Sequence, residues 1–287
     1  MLNKQGRVVI LKILVTGANG YLGSGVVKTL LDYGNEVIAT DFKDDKIDQR
    51  AKSYTCNLFQ LDDPYSYFEK PDIVMHMAWR DGFVHNSFAH MEDLPKHFNF
   101  INKMVNSGIR KVCVMGTMHE IGFYEGSINE NTPCNPMNLY GISKNALREA
   151  VKMLAISHNI DWQWLRGYYI VGNSQNGASI FSKITKAEKD GKTLFPFTSG
   201  QNQYDFVDYT DFCKYVATAI SQNDINGIIN ISSGHPEKLA DRVERFIKEN
   251  NYRIKLDYGK YPDRAYDSKA VWGDDSKIKA IMKRKKK

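Results

Sequence analysis

The order of elements at the start of the chain limits its fold most. Lys12–Thr16 (Lys-Ile-Leu-Val-Thr) is an apolar run that reads as a strand buried on both faces. Gly17-Ala18-Asn19-Gly20-Tyr21-Leu22-Gly23 follows at once. Ser24–Tyr33 then sets Val26, Val27, Leu30 and Leu31 on one side of a helix, closed by Gly34-Asn35. A second strand over Glu36–Thr40 ends at Asp41. The glycines allow a tight turn and close approach to a pyrophosphate, and the helix start offers it free N–H groups. The acid accepts hydrogen bonds from both hydroxyls of a ribose. The candidate dinucleotide site is therefore Gly17, Asn19, Gly20, Tyr21, Leu22, Gly23 and Asp41. The plainer alternative is an ordinary glycine turn with a surface aspartate. Asp41 selects NAD over NADP, because a 2′-phosphate there would face a like charge. Lys43, on a flexible stem, is the one feature pointing the other way.

A second constellation lies in Asn138–Leu147. Tyr140 and Lys144 are four apart, one turn apart on the same face of a helix. A free phenol titrates near ~10, and a neighbouring ammonium favours its ionised form. Such a pair exchanges a proton with a substrate oxygen near neutrality. Taken alone, the spacing equally describes an exposed tyrosine beside a solvated lysine. Ala146, Leu147, Ala150, Val151 and Leu154 extend the helical pattern to about Ser157.

The Gly-x-x-Gly-x-x-Gly spacing together with Tyr140 and Lys144 resembles an extended short-chain dehydrogenase/reductase of the NAD-dependent epimerase/dehydratase type, acting on nucleotide sugars. The resemblance runs from about Lys12 to Met282. It implies an α/β fold: a Rossmann-type, doubly wound, mostly parallel sheet with a small C-terminal substrate-binding lobe. It implies that Asn57, with Leu58 beside it, takes the place of an aspartate facing adenine. Pro71–Ala78 resembles the segment Asp-x-Val-x-His-x-Ala-Ala that passes beneath the cofactor, so Met77, Ala78 and Trp79 join the cofactor site. Trp79 replaces the last alanine, and His76 reads as a satisfied core histidine. Thr117, five residues before Gly122, fits the Ser or Thr that orients the reacting oxygen.

The substrate motifs depart from the pattern. Asp93-Leu94-Pro95-Lys96-His97 stands where Asn-Val-x-Gly-Thr is usual. Tyr169 stands in place of an asparagine, and Tyr204-Asp205-Phe206 in place of Arg-Asp-Phe. Met118 and His119 occupy the positions of a dehydratase's acid pair, which disfavours dehydration. Arg264 resembles the late arginine that clamps the substrate pyrophosphate; a surface arginine is the alternative. Substrate contacts are expected from Met118, His119, Tyr169, Tyr204 and Arg264. The implied reaction is hydride transfer at C4 of a 4-keto-6-deoxy nucleotide sugar, of the dTDP-6-deoxy-talose type. A 4-epimerase is the second reading. A non-catalytic NAD-binding regulator is the third, though such proteins typically lose the tyrosine or the lysine. The helix beginning near Phe88 and the one after Tyr140 carry apolar stripes. In the family these pair across a two-fold axis, so a homodimer is expected.

The 287 residues divide into a cofactor domain over 1–172, carrying Tyr140 and Lys144, and a mainly substrate-binding lobe over 173–287. A strand near 227–233 is expected to return to the first domain. Five basic residues at 283–287 supply most of the net charge of +6, and read as a disordered tail. A basic tail rather than a basic face argues against nucleic acid as a partner. No apolar run reaches membrane-spanning length, and Met1–Arg7 lacks a signal-peptide core, so the cytoplasm is the expected compartment. Cys56, Cys113, Cys134 and Cys213 form no Cys-x-x-Cys pair, and no metal site is expected.

Overall fold

Side chains alternate faces along a strand, and the first strand shows the consequence. Ile13 and Val15 pack on one side of the sheet and Leu14 on the other, all three with no exposed surface. A strand with two buried faces needs a layer of helices on each side. A computed structural model describes residues 10–172, 179–263 and 267–285. The elements begin with β1 (Lys12–Thr16), α1 (Gly23–Asp32), β2 (Glu36–Asp41), β3 (Lys52–Thr55), α2 (Pro64–Tyr67), β4 (Ile73–His76) and α3 (Ala89–Asn106). The middle of the chain holds β5 (Lys111–Thr117), β6 (Gly126–Ile128), α4 (Leu139–His158), β7 (Asp161–Gly167), β8 (Tyr169–Val171) and α5 (Ile180–Lys189). Then come β9 (Leu194–Pro196), β10 (Gln203–Asp208), α6 (Tyr209–Ile220), β11 (Gly227–Ile231) and β12 (Pro236–Lys238). The last are α7 (Leu239–Glu249), β13 (Lys255–Asp257), β14 (Ala270–Gly273) and α8 (Ser276–Lys285).

Seven parallel strands form the main sheet in the order β11-β7-β5-β4-β1-β2-β3. One face is covered by α1, α6 and α8, through Val26, Val27, Phe212, Val216, Ile278 and Ile281. The other is covered by α3 and α4, through Phe100, Ile101, Met104, Leu147 and Val151. Chain order reverses where β1 lies between β4 and β2, which opens a crevice at the carboxyl ends of the strands. Register brings Thr16 beside His76 and Thr40, and Thr117 beside Gly167, at that edge.

A second sheet, β12-β10-β14-β6 with β8 alongside β10, stands over the crevice, and β9 pairs with β13. It draws on β6 and β8, which precede residue 173 in sequence. Asp205, fully buried, ties it together by accepting from the amides of Ser233, Gly234 and Gly273. The strand expected near 227–233 is β11, at the edge of the main sheet beside β7. The expected disordered tail needs correction. Ile278 and Ile281 anchor α8, which runs on to Lys285, and Arg284 meets Asp224 at 2.7 Å. Lys286 and Lys287 lie outside the described residues. Among the described residues no helix is long and apolar enough to cross a membrane.

Candidate active site

The crevice holds a cavity of about 1610 Å³, lined from the glycine turn at one end to Tyr169 and Tyr204 at the other. All but two of the residues expected at the site line it. The exceptions are Asn19 and Arg264, and Arg264 lies outside the described residues. The Asn19 side chain turns away, donating to Asp45 at 2.9 Å and accepting from the Lys46 amide at 2.7 Å.

The dinucleotide end is built from backbone. Gly17 has φ +67°, and a Cβ there would lie 2.6 Å from the Ala78 nitrogen. Only glycine lets the turn sit against the end of β4 in this way. Asp41 closes β2, and its carboxylate accepts from the amides of Asn19 at 3.0 Å and Phe42 at 2.7 Å. Asn57 spends its carbonyl oxygen on the Phe59 amide, while Leu58 is buried. Tyr21 donates its phenol to Gly172 O at 2.7 Å, tying the turn to the end of β8. A close backbone cradle ending in an acid fits a dinucleotide.

The reacting end is built from side chains. Asn138 caps α4 by accepting from the Gly141 amide at 2.8 Å. A Cβ on Gly141 would meet His119 O at 2.3 Å, so this glycine brings the first turn of α4 against the turn that follows β5. Thr117 faces the Tyr140 phenol from that side. The Thr117 amide donates to the buried Glu120 carboxylate at 2.7 Å, which also accepts from Trp164 Nε1 at 2.8 Å. Arg148 and Arg166 face the same carboxylate at 3.4 and 3.5 Å.

The electrostatics differ from the expectation. Burial pushes the Tyr140 phenol above its ordinary value, and the neighbouring Thr117 hydroxyl only partly offsets this. Burial likewise pushes Lys144 down to about 7, with the charge of Glu120 opposing. Its ammonium donates to Met115 O at 2.7 Å and lies over the Trp79 ring. Desolvation outweighs the proximity that the Tyr–Lys spacing suggests.

Histidines complete the site. The ring of His85 stacks on Tyr140 at 5.7 Å, and the ring of His119 lies 4.3 Å from that of His85. Burial lowers both, His119 to about 4. His76 accepts from Thr16 and meets His97 Nδ1 at 2.8 Å, a satisfied core position. Asp93, at the start of the departing segment, is buried and paired with Arg80 and with Lys96. His85, His97 and Asp93 were not among the expected site residues. Four of the seven histidines fall within His76–His97, a clustering visible in the sequence. Tyr169 and Tyr204 pack 4.6 Å apart on the wall of the second sheet. Among the described residues, no group of three His, Cys, Asp or Glu is placed to hold a metal ion.

A family model described as the NAD dependent epimerase/dehydratase family matches residues 13–232. The chain belongs to the NAD-dependent epimerase/dehydratase family. It is 40% identical over 269 residues to dTDP-6-deoxy-L-talose 4-dehydrogenase (NAD(+)) of Aggregatibacter actinomycetemcomitans, covering 92% of this chain and 99% of that one. It is 30% identical over 159 residues to dTDP-6-deoxy-L-talose 4-dehydrogenase (NAD(P)(+)) of Kitasatospora kifunensis, covering 52% of this chain and 49% of that one. The structure of UDP-N-acetylglucosamine 4-epimerase from Methanobrevibacter ruminantium M1 superposes with a TM-score of 0.83 at 20% identity, covering 96% and 92% of the two chains. At that identity the likeness shows the family fold. Like its relatives, this member is an enzyme and uses NAD.

Proposed function

We propose that this protein is an NAD-dependent oxidoreductase acting at C4 of a dTDP-activated 6-deoxy sugar. The observation that carries the reading is the placement of Tyr140, with Thr117 beside it and Lys144 one turn on, in a cleft that also holds Gly17 and Asp41. The 40% identity to a dTDP-6-deoxy-L-talose 4-dehydrogenase supports the choice of sugar. Bound NAD supplies the hydride acceptor or donor. Asp41 accepts from the ribose hydroxyls, and the cradle at Gly17 admits the pyrophosphate. Tyr140 exchanges the proton of the C4 oxygen, and Thr117 donates to that oxygen. The phenol is protonated when the site is buried and dry, the state that donates to a keto oxygen. Tyr169 and Tyr204 bound the sugar nucleotide on the side of the second sheet. Residues 1–172 carry the cofactor and the proton-transfer pair, while most of 173–287 covers the substrate.

We also infer a homodimer. Met91 of α3 and Ile142, Met153 and Ile156 of α4 are exposed apolar side chains on two helices that pack together. Covering such a patch with a second copy removes it from water. A monomer by light scattering at micromolar concentration overturns this.

The reaction is tested by following NADH with a panel of dTDP-, GDP- and UDP-linked sugars and 4-keto sugars. The expected result is net NADH change with a dTDP-6-deoxy sugar. A C4 epimer formed without net NADH change would favour the epimerase reading instead.

A further inference from the structure

We propose that Trp79 is a positioning residue for Lys144: its indole face holds the buried ammonium, and two histidines hold the indole. The inference rests on the reading above that Lys144 belongs to the proton-transfer pair with Tyr140. The Lys144 Nζ lies 3.8 Å from the Trp79 ring centroid, in a residue only 2% exposed. A cation over an indole face is favoured most strongly where water is excluded. The indole cannot drift. Its Nε1 donates to His90 Nδ1 at 3.0 Å, and His90 Nε2 donates to Val84 O at 3.0 Å. The ring of His97 stacks on it at 4.3 Å and 12°.

His97 is fixed in turn by a chain whose direction can be read. The Thr16 hydroxyl accepts from the amides of Met77 and Ala78, both at 3.2 Å. Its own proton therefore goes to His76 Nδ1 at 2.8 Å, and His76 Nε2–H donates to His97 Nδ1 at 2.8 Å. Both imidazoles satisfy this chain while neutral. Burial, the Lys144 charge and, at His97, the charges of Lys96 and Arg80 keep them so; His97 also bears on His76. A neutral wall is what a neighbouring cation requires. Of the other ionisable groups around Lys144, Glu120 favours its charge and Tyr140 is held protonated by burial. Asp93 is taken by Arg80 and Lys96, and Arg148 by Glu120 and Glu149.

The test compares Trp79→Phe with Trp79→Leu. Both are apolar, but only Phe keeps a ring face. Lys144 is titrated through its Cε resonance by NMR without nucleotide, so the result stands whether or not the substrate assignment holds. Wild type is expected to titrate near 7. Trp79→Leu should move the midpoint down by ~1 pH unit, and Trp79→Phe should keep most of the wild-type value. With substrate, the basic limb of the kcat pH profile should move in the same order while KM for the sugar changes little. Equal midpoints in wild type and both variants, or an equal shift in Phe and Leu, would overturn the assignment. Trp79→Met supplies the ring-free comparison if Trp79→Leu does not fold.

Discussion

The two ends of the cleft are made differently. The dinucleotide end is organised by one continuous segment, β1 to Phe42, backed by residues after β3 and β4, and its contacts are mostly backbone: Gly17 against Ala78, and the amides of Asn19 and Phe42 on Asp41. The reacting end comes from four separated segments. The loop after β4 brings Trp79 and His85, α3 brings His97 and, behind Tyr140, His90, β5 brings Thr117, and α4 brings Tyr140 and Lys144. Its contacts are between side chains, many of them buried and ionisable. A backbone cradle tolerates change in its side chains and fails mainly by steric intrusion. A side-chain network fails when any member is lost, because the remaining buried polar groups lose their partners.

The largest contrast should come from Tyr140→Phe. Removing the phenolic hydroxyl is expected to lower kcat by ~10²–10⁴-fold with NAD affinity retained. Steady-state kinetics beside a binding titration checks this, and wild-type turnover would remove Tyr140 from the reaction. Next in size is Glu120→Gln. It leaves Arg148 and Arg166 buried without their shared carboxylate, a loss of ~3–5 kcal/mol in stability. A clear fall in the denaturant midpoint is expected, and an unchanged midpoint would show that the network is not cooperative.

Acid should weaken the reacting end before the dinucleotide end. His119 and His97 are lowered by burial to about 4 and about 3. A group with a depressed folded-state value gives its full contribution above the unfolded value of ~6.5. Stability is therefore lost as pH falls from ~6.5 toward about 4 and then about 3, by on the order of a few kcal/mol in all. Replacing His119 with Gln should flatten part of this slope in a pH series of chemical denaturation. A slope unchanged by the substitution would mean that other groups set it. The smallest effect belongs to Asp41→Ala. Losing charged hydrogen bonds to the ribose should weaken NAD by ~1.5–3 kcal/mol and relieve repulsion toward NADP, narrowing the ratio of their kcat/KM values without unfolding the protein. A higher kcat/KM with NADPH than with NADH in the unaltered protein would reverse the role given to Asp41.

The sequence by itself determined what depends on neighbours along the chain. The strand, the glycine turn, α1, β2 and Asp41 were legible because turn chemistry and hydrophobic period act over a few residues. The same holds for the spacing of Tyr140 and Lys144 on α4. Tertiary structure decided what those groups feel. The spacing pointed to a lowered phenol, but burial raises it, and the ammonium rests on Met115 O and Trp79. The Asn19 side chain, expected at the cofactor, is drawn off by the loop after β2. The histidine-rich stretch was visible as composition, yet only the crossing of α3 over the end of β4 sets His90 and His97 around Trp79. Desolvation depends on everything packed around a group, and most of that comes from distant parts of the chain. Spacing fixes which side chains share a face; the charge they carry there is set by the fold.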